Sequence, residues 1–319
     1  MSTIRFESVS KQFTGSGRPS VNAVSFVVEE GSFVVLLGPS GCGKTTLLKM
    51  VNRLIEPTAG FIYLGAQEIR QLDPTQLRRQ IGYVIQQVGL FPHMTVAQNV
   101  ATVPRLLRWE PARIATRVDE LLTLVELPPE EYRGRYPSQL SGGQRQRVGV
   151  ARALAGDPGV ILMDEPFGAI DAITRTGLQD ELLRLQRKLK KTILFVTHDV
   201  EEALRLADNI VIMREGEIVQ HDTPFNILSR PANLFVRDLI GADDMVRQLG
   251  LICVAAAMEP LPADATTNGG YPTVTHDDNL RRALSILLAS NAPALTVLEG
   301  DRPVGRLTLR GIQNSAGEI

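Results

Sequence analysis

A glycine-rich segment near residue 40 constrains this chain more than any other feature of its sequence. Residues 38–46 have the sequence GPSGCGKTT, which matches the phosphate-loop pattern G-x-x-x-x-G-K-[ST]. The apolar run Phe33–Leu37 precedes it and predicts a strand that is buried on both faces. After it, apolar residues recur at helical spacing over Thr46–Ile55. This strand–loop–helix context predicts a loop that binds nucleotide phosphates rather than a plain turn.

The residue types in this loop suit phosphate binding. Glycines let backbone N–H groups turn inward, and the start of the helix adds a partial positive charge. We expect Lys44 to reach the β- and γ-phosphates and Thr45 to offer its hydroxyl to Mg²⁺. Cys42 stands at a variable position and is assigned no redox role. The candidate nucleotide-binding residues are Gly38, Pro39, Ser40, Gly41, Cys42, Gly43, Lys44, Thr45 and Thr46.

Up to about residue 240, short apolar runs alternate with longer amphipathic segments. The alternation predicts an α/β domain with a mainly parallel sheet. Val160–Met163 and Ile193–Val196 are two further buried strands, and leucines at helical spacing between them predict a helix. A hairpin is predicted over residues 210–220, and a mostly helical insertion over about residues 95–155.

Polar residues with catalytic potential follow the buried strands. Asp164 and Glu165 come about 120 residues after the phosphate loop, at the end of Val160–Met163. Asp164 suits the Mg²⁺ side of a site, and Glu165 suits the general base that deprotonates an attacking water. His198 ends another strand at the same edge, where open α/β sheets bind ligands, and is positioned to hydrogen-bond a γ-phosphate. The predicted catalytic residues are therefore Lys44, Glu165 and His198.

The composition narrows the classes of protein that this chain can represent. The net charge of −1 gives no strong field toward nucleic acid, so we expect no nucleic-acid partner. The 2 cysteines, Cys42 and Cys253, lie far apart and indicate a reducing compartment. The N-terminus has no signal-peptide pattern, and no apolar run approaches the roughly 20 residues that span a bilayer. Any membrane span is therefore expected in another chain.

The segment LSGGQ at residues 140–144 makes the pattern specific. In chain order, the phosphate loop, Gln86, LSGGQ, Asp164, Glu165 and His198 resemble the ATP-binding cassette (ABC) ATPases over about residues 2–240. The resemblance implies a P-loop NTPase fold with ATP and Mg²⁺ as ligands. It also implies that ATP hydrolysis drives transmembrane transport, through a homodimer bound to integral-membrane permease subunits.

The resemblance further assigns roles residue by residue. Phe13 stacks on adenine. Gln86 contacts Mg²⁺ and couples to the membrane subunits, and it matches the spacing of the family's motif better than the adjacent Gln87 does. Ser141, Gly142 and Gly143, with Gln144 beside them, contact the γ-phosphate of ATP held by a second copy. Asp171 lies in the dimer-contact loop, where Ile170 replaces the more usual Leu. The implied Mg²⁺ ligands are Thr45, Gln86 and Asp164.

A finer resemblance surrounds Gln86. Residues 81–96 (IGYVIQQVGLFPHMTV) and 48–53 (LKMVNR) are similar to bacterial importers of glycine betaine, choline, carnitine or proline-type solutes. That subgroup implies a peripheral subunit at the cytoplasmic face of the bacterial inner membrane and, indirectly, a solute-binding protein. The alternatives are an importer of another small solute such as an amino acid, a soluble ABC ATPase outside transport, and a regulatory module that binds ATP without turnover.

The character of the sequence changes near Gly241. Residues 241–272 are predicted to be a connecting segment that ends in a Pro- and Gly-rich linker. Residues 273–319 contain a predicted strand, helix and two strands, and resemble a single CBS motif: Thr273–Thr275, Asn279–Ser290, Leu295–Leu298 and Val304–Leu309. Of the ribose-contacting pattern T-x-x-D, Thr308 is present but Gly311 stands at the Asp position.

This C-terminal segment is also basic. Its arginines suit anionic lipid, a nucleotide phosphate or a solvated dimerisation module, and the sequence leaves these three open: Arg281, Arg282, Arg302, Arg306 and Arg310.

Overall fold

Two units of unequal size make up the chain, residues 1–222 and residues 223–319. A computed structural model describes residues 2–86, 89–168, 172–242, 245–261 and 270–317. None of the helices in these ranges combines the length and the apolar character that a bilayer crossing requires.

The larger unit contains the predicted strands at residues 33–37, 160–163 and 193–196 and the predicted hairpin over residues 210–220, together with strands that were not predicted. In chain order, its described strands are β1 (Ile4–Lys11), β2 (Val21–Val28), β3 (Phe33–Leu37), β4 (Ala59–Leu64), β5 (Gln67–Glu68), β6 (Ile81–Val84), β7 (Val160–Asp164), β8 (Thr192–Thr197), β9 (Asn209–Arg214) and β10 (Glu217–Asp222). Within the described ranges they form a four-stranded sheet, β2-β1-β4-β5, and a six-stranded sheet, β10-β9-β3-β8-β7-β6.

Parallel pairing dominates the six-stranded sheet. Strands β9, β3, β8, β7 and β6 run parallel, and β10 pairs antiparallel with β9 as the predicted hairpin. Every residue of β3, β7 and β8 is buried. Helices cover both faces of a parallel sheet, which explains why these strands are continuous apolar runs rather than alternating ones.

The helices of this unit are α1 (Lys44–Val51), α2 (Pro74–Arg79), α3 (Val96–Val100), α4 (Thr102–Leu106), α5 (Pro111–Leu124), α6 (Pro129–Tyr132), α7 (Gly142–Leu154), α8 (Ala172–Leu189) and α9 (Val200–Leu206). Residues 95–155 contain α3 to α7 and no strand, as predicted. Helix α1 ends earlier than predicted, at Val51, because Arg53 has a left-handed backbone with φ of 49° that cannot continue the helix.

The smaller unit consists of α10 (Pro224–Ser229), α11 (Leu234–Ile240), α12 (Met245–Leu249), α13 (Val254–Ala257), β11 (Glu259–Pro260), β12 (Thr273–Thr275), α14 (Leu280–Ser290), β13 (Ala294–Glu299), β14 (Arg302–Thr308) and α15 (Leu309–Gly317). Its described strands form one sheet in the order β11-β14-β13-β12. The last helix, α15, was not predicted.

The predicted domain limits differ from the observed division. The boundary at residue 240 is replaced by one after Asp222, because α10 packs against α11 and α12 of the smaller unit. The predicted connecting segment is not a free linker where it is described. Leu249, Ile252 and Val254 are buried in the core of the smaller unit, and β11 pairs with β14. Residues 262–269, within the predicted linker, lie outside the described residues.

Candidate active site

The carboxyl ends of β3, β8 and β7 are aligned at one edge of the six-stranded sheet. Leu37 of β3 lies opposite Thr197 of β8, and Val196 of β8 lies opposite Asp164 of β7. The residues that follow these strands therefore emerge together. They are the phosphate loop, His198 and Glu165, and this edge is where open parallel sheets bind ligands.

The phosphate loop requires glycine at two of its positions. A Cβ on Gly38 would lie 2.2 Å from the Met213 carbonyl oxygen, and a Cβ on Gly43 would lie 2.2 Å from that of Ser20. Gly43 also has a left-handed backbone, with φ of 108°, directly before α1. This close backbone packing allows successive N–H groups to face a common point, as an anion cradle needs.

Lys44 is held inside this loop. Its side chain is buried, and Nζ donates to the carbonyl oxygens of Gly38 at 2.6 Å and of Pro39 at 2.9 Å. Cys42 is buried beside it, with Sγ 3.7 Å from Nζ. The ammonium group therefore sits at the centre of the loop, where phosphate oxygens would replace or join the carbonyl acceptors.

Thr45 and Asp164 meet across the loop. The Thr45 hydroxyl donates to Asp164 Oδ1 at 2.8 Å. Burial raises the pKa of Asp164, while the hydrogen bond from Thr45 and the charges of Lys49 and Lys44 oppose the rise. Two oxygen-bearing side chains are thus close together beside Lys44, and oxygen atoms are the ligands that Mg²⁺ prefers.

The phenol of Tyr83, which was not predicted from the sequence, lies near Asp164. It lies on β6, next to β7, where burial and the Asp164 charge raise the pKa of Tyr83 to about 12. The phenol therefore stays protonated at neutral pH.

Glu165 is held in an unusual backbone conformation. Its φ is 45°, in the left-handed region that a non-glycine residue rarely adopts. The conformation is fixed on both sides, since the Glu165 N–H donates to the Val196 carbonyl at 2.9 Å and its carbonyl accepts from Gly168 N–H at 3.3 Å. Such strain is typical of functional positions that the surrounding fold over-determines.

The Glu165 carboxylate joins the other predicted catalytic groups. Its Oε2 lies 3.3 Å from Gln86 Nε2 and 3.2 Å from His198 Nδ1. Two residues that follow β6 and β8 thus converge on one oxygen of the carboxylate that follows β7. A carboxylate between an amide and an imidazole can accept a proton from a water that these groups orient.

The LSGGQ segment begins helix α7. The Ser141 hydroxyl accepts from Gln144 N–H at 3.2 Å, and Gln144 Oε1 accepts from Ser141 N–H at 2.9 Å, a reciprocal capping box. Gln144 Nε2 also donates to the Tyr132 hydroxyl at 3.0 Å. Leu140 is buried, whereas Ser141 and Gly142 are exposed. A rigid, exposed helix start is a suitable second anion cradle.

The remaining predicted residues are less defined. Phe13 follows β1, is partly exposed and has the Lys11 ammonium 5.2 Å from its ring centre. Its stacking on adenine stays a prediction. Asp171, Ile170 and Gln87 lie outside the described residues.

Comparisons with known proteins agree with this geometry. The family model described as ABC transporter matches residues 21–168. The glycine betaine/carnitine/choline transport ATP-binding protein of Bacillus subtilis is 49% identical over 297 residues, 93% of this chain and 75% of that protein. The glycine betaine uptake system ATP-binding protein of Escherichia coli is 49% identical over 306 residues, 95% of this chain and 97% of its own length. This chain belongs to the ATPase subunits of ABC transporters.

A solved structure supports the same assignment for the larger part of the chain. It is the dimeric post-hydrolysis state of an ATP-binding cassette bound to ADP and Pi. The two are 33% identical with a TM-score of 0.62, over 69% of this chain and 98% of the solved one. The predicted P-loop NTPase fold of the ATPase part and the predicted family are therefore confirmed, whereas the CBS-like module stays a prediction.

The loop geometry generates a direct prediction for ATP binding. We expect Gly43→Ala to weaken ATP binding at least about tenfold, because a side chain there combines backbone strain with a clash against the Ser20 carbonyl. Titration calorimetry of the purified chain measures the affinity. Gly177→Ala in α8 is the matched control, since a Cβ there meets no atom within 4 Å, and its ATP affinity should be unchanged. Equal affinities for Gly43→Ala and the unmodified chain would contradict the assignment of this loop.

Proposed function

We propose that this chain powers an importer of osmoprotectants such as glycine betaine, choline or carnitine, with Glu165 as the general base of ATP hydrolysis. The observation that carries the catalytic assignment is the convergence of Gln86 and His198 on one Glu165 oxygen beside the phosphate loop. The solute class is supported by the transport functions in the names of the Bacillus subtilis and Escherichia coli relatives.

In this proposal each residue has a defined part in the reaction. The loop 38–46 and Lys44 bind the phosphates of ATP. Glu165 accepts a proton from a water molecule while the oxygen of that water bonds to the γ-phosphorus. At the same time the bond between the γ-phosphorus and the bridging oxygen of ADP breaks. His198 hydrogen-bonds the γ-phosphate and the attacking water. Because water attacks the γ-phosphate directly, the reaction requires no covalent intermediate on the protein.

Mg²⁺ fits the oxygen ligands beside the loop. Thr45 and Asp164 would hold the ion, with the Gln86 side-chain oxygen as a further ligand, because hard cations prefer hydroxyl, carboxylate and amide oxygens. When bound, Mg²⁺ would neutralise charge on the β- and γ-phosphates. The short contact between Thr45 and Asp164 supports this part of the proposal, because it already brings two such oxygens together.

A second copy of the chain would complete the site. Ser141 offers an exposed side chain, and Gly142 and Gly143 offer backbone N–H groups at the start of α7, a 13-residue helix whose dipole favours an anion. In the related cassette of known structure the protein is dimeric with ADP and Pi. We infer that ATP on Lys44 of one copy contacts Ser141 of the other, with Asp171 in the dimer contact.

The transport step requires partners in the membrane. Exposed apolar side chains flank Gln86 in the sequence, Ile85 directly before it and Phe91 shortly after it, and they offer a surface for permease subunits. We infer that the chain works as a peripheral subunit at the cytoplasmic face of the bacterial inner membrane. A solute-binding protein would deliver the solute to the permease on the opposite side.

The smaller unit is proposed to be a CBS-like dimerisation module rather than a nucleotide site. A Cβ on Gly311 would lie 2.9 Å from the Ala257 carbonyl, so the Asp of the ribose-contacting pattern has no room there. The Thr308 hydroxyl already accepts from Gly311 N–H at 3.1 Å. Two of the arginines also have partners, since Arg282 pairs with Asp278 at 2.7 Å and Arg306 lies 5.7 Å from the Tyr271 ring centre.

The catalytic assignment predicts a separation of binding from turnover. Glu165→Gln should bind ATP normally and hydrolyse it at least about a hundredfold more slowly, because the amide cannot take the proton from water. Phosphate release from the purified chain measures the rate. Glu130→Gln, on the exposed surface of α6, is the matched control and should keep the normal rate. Unchanged turnover in Glu165→Gln would exclude Glu165 as the base.

The solute assignment predicts uptake that depends on this chain. Cells that carry the gene should accumulate labelled glycine betaine, choline or carnitine faster than cells without it. Cells with the Lys44→Ala variant should behave like cells without the gene, because phosphate binding is lost. Labelled amino acids serve as the comparison. Uptake of an amino acid, with none of the three quaternary amines, would contradict the proposed solute class.

A further inference from the structure

A buried polar network lies directly behind His198. This residue connects β8 to α9, and its ring contacts Glu165. The His198 side chain is 58% exposed. Packing around the ring is therefore limited, and the direction of the ring depends on how the backbone on either side of it is held.

Thr197 holds that backbone from the strand side. It is buried at the last position of β8, and its hydroxyl accepts from the backbone N–H of Asp199 at 3.0 Å. This bond closes a small turn around His198, from the residue before it to the residue after it. The same hydroxyl donates to Glu202 Oε2 at 2.7 Å. Its single proton is thereby committed to the carboxylate, which leaves its lone pair free to accept from Asp199.

Glu202 anchors the turn from α9. The residue is 4% exposed, and burial raises the pKa of its carboxyl, while the hydrogen bond from Thr197 opposes that rise. Its second oxygen, Oε1, accepts from Gln179 Nε2 of α8 at 3.4 Å. A carboxylate this deeply buried is costly unless its oxygens are satisfied, so the geometry of the group is strongly constrained.

Asp199 and Arg175 hold the turn from its other side. Asp199 Oδ1 caps α9 by accepting from the N–H groups of Glu201 and Glu202. Its Oδ2 accepts from the Arg175 guanidinium of α8 at 3.2 Å, and Arg175 Nε also lies 4.0 Å from Glu202 Oε1. Side chains of α8 and α9 therefore bind the residues on both sides of His198: Glu202 of α9 binds Thr197, and Arg175 of α8 binds Asp199.

From these contacts we infer that Thr197, Glu202 and Arg175 are positioning residues that aim His198 at the reacting γ-phosphate and Glu165. Thr197 is the central member, because its hydroxyl links the carboxylate of α9 to the backbone after His198. The inference rests on the proposed role of His198 in ATP hydrolysis. It assigns the network to the chemical step and not to nucleotide binding, which the phosphate loop provides.

A double-mutant cycle on the full-length chain tests this inference. The variants are Thr197→Val, which removes only the hydroxyl from a side chain of the same shape, His198→Ala, and the two combined. Single-turnover hydrolysis of Mg-ATP gives the chemical rate, and titration gives the ATP affinity. Thr197→Val should slow the chemical step about tenfold or more, because a small misplacement of a catalytic group has a large effect. ATP affinity should change less than about twofold.

The decisive comparison is made in the His198→Ala background. There, Thr197→Val should change the rate by less than about twofold, because the residue that it positions is already absent. Thr197→Ser keeps the hydroxyl and should restore most of the rate. An equal slowing by Thr197→Val with and without His198, or no slowing at all, would overturn the positioning role.

Two further measurements keep the test conclusive. If Thr197→Val lowers the melting temperature enough to prevent assay, Arg175→Met replaces it in the same cycle. That variant removes the contact between Arg175 and Asp199 instead. His198→Ala alone distinguishes the catalytic role of His198 from the positioning role of Thr197. A normal rate in His198→Ala would contradict the proposed catalytic role of His198 itself. A slow His198→Ala together with an unaffected Thr197→Val would contradict only the positioning role.

Discussion

Parallel hydrogen bonding among β6, β7, β8 and β3 is the constraint on which the rest of the site depends. Its register brings Leu37, Asp164 and Thr197 to one edge, so the residues that follow them meet without any long-range loop. A slip of one residue would turn every side chain of a strand to the opposite face. The buried apolar faces of these strands fix the register, and through it they fix the contact of Glu165 with His198 and Gln86.

Much of this arrangement was predictable because the information is local. The phosphate loop, the carboxylates after β7 and the histidine after β8 each follow a continuous apolar run, and parallel strands bring such ends together. The left-handed backbone of Glu165 was not predictable, because the Val196 contact on one side of it comes from tertiary structure. The network behind His198 was missed for the same reason. Arg175 and Glu202 are helix residues with no motif of their own, and only the packing of α8 beside α9 brings them together.

The smaller unit was predicted less well, again for a physical reason. Its strands and α14 follow clear periodic patterns, but the module is too small to bury its own apolar faces from those elements alone. Leu249, Ile252 and Val254, in a segment predicted as a connection, supply part of that core. The sequence shows glycine at residue 311, where the ribose-contacting pattern has Asp, and the close Ala257 carbonyl gives a steric reason why Asp does not fit there.

In the proposed dimer, one ATP lies between the phosphate loop of one copy and the LSGGQ segment of another. Sedimentation of the slow Glu165→Gln variant with Mg-ATP tests this most directly, because trapped ATP would hold the two copies together. We expect a dimer with ATP, a monomer with ADP, and a monomer that still binds ATP when Ser141→Arg is added. A monomer in ATP, or a dimer that persists with Ser141→Arg, would contradict it.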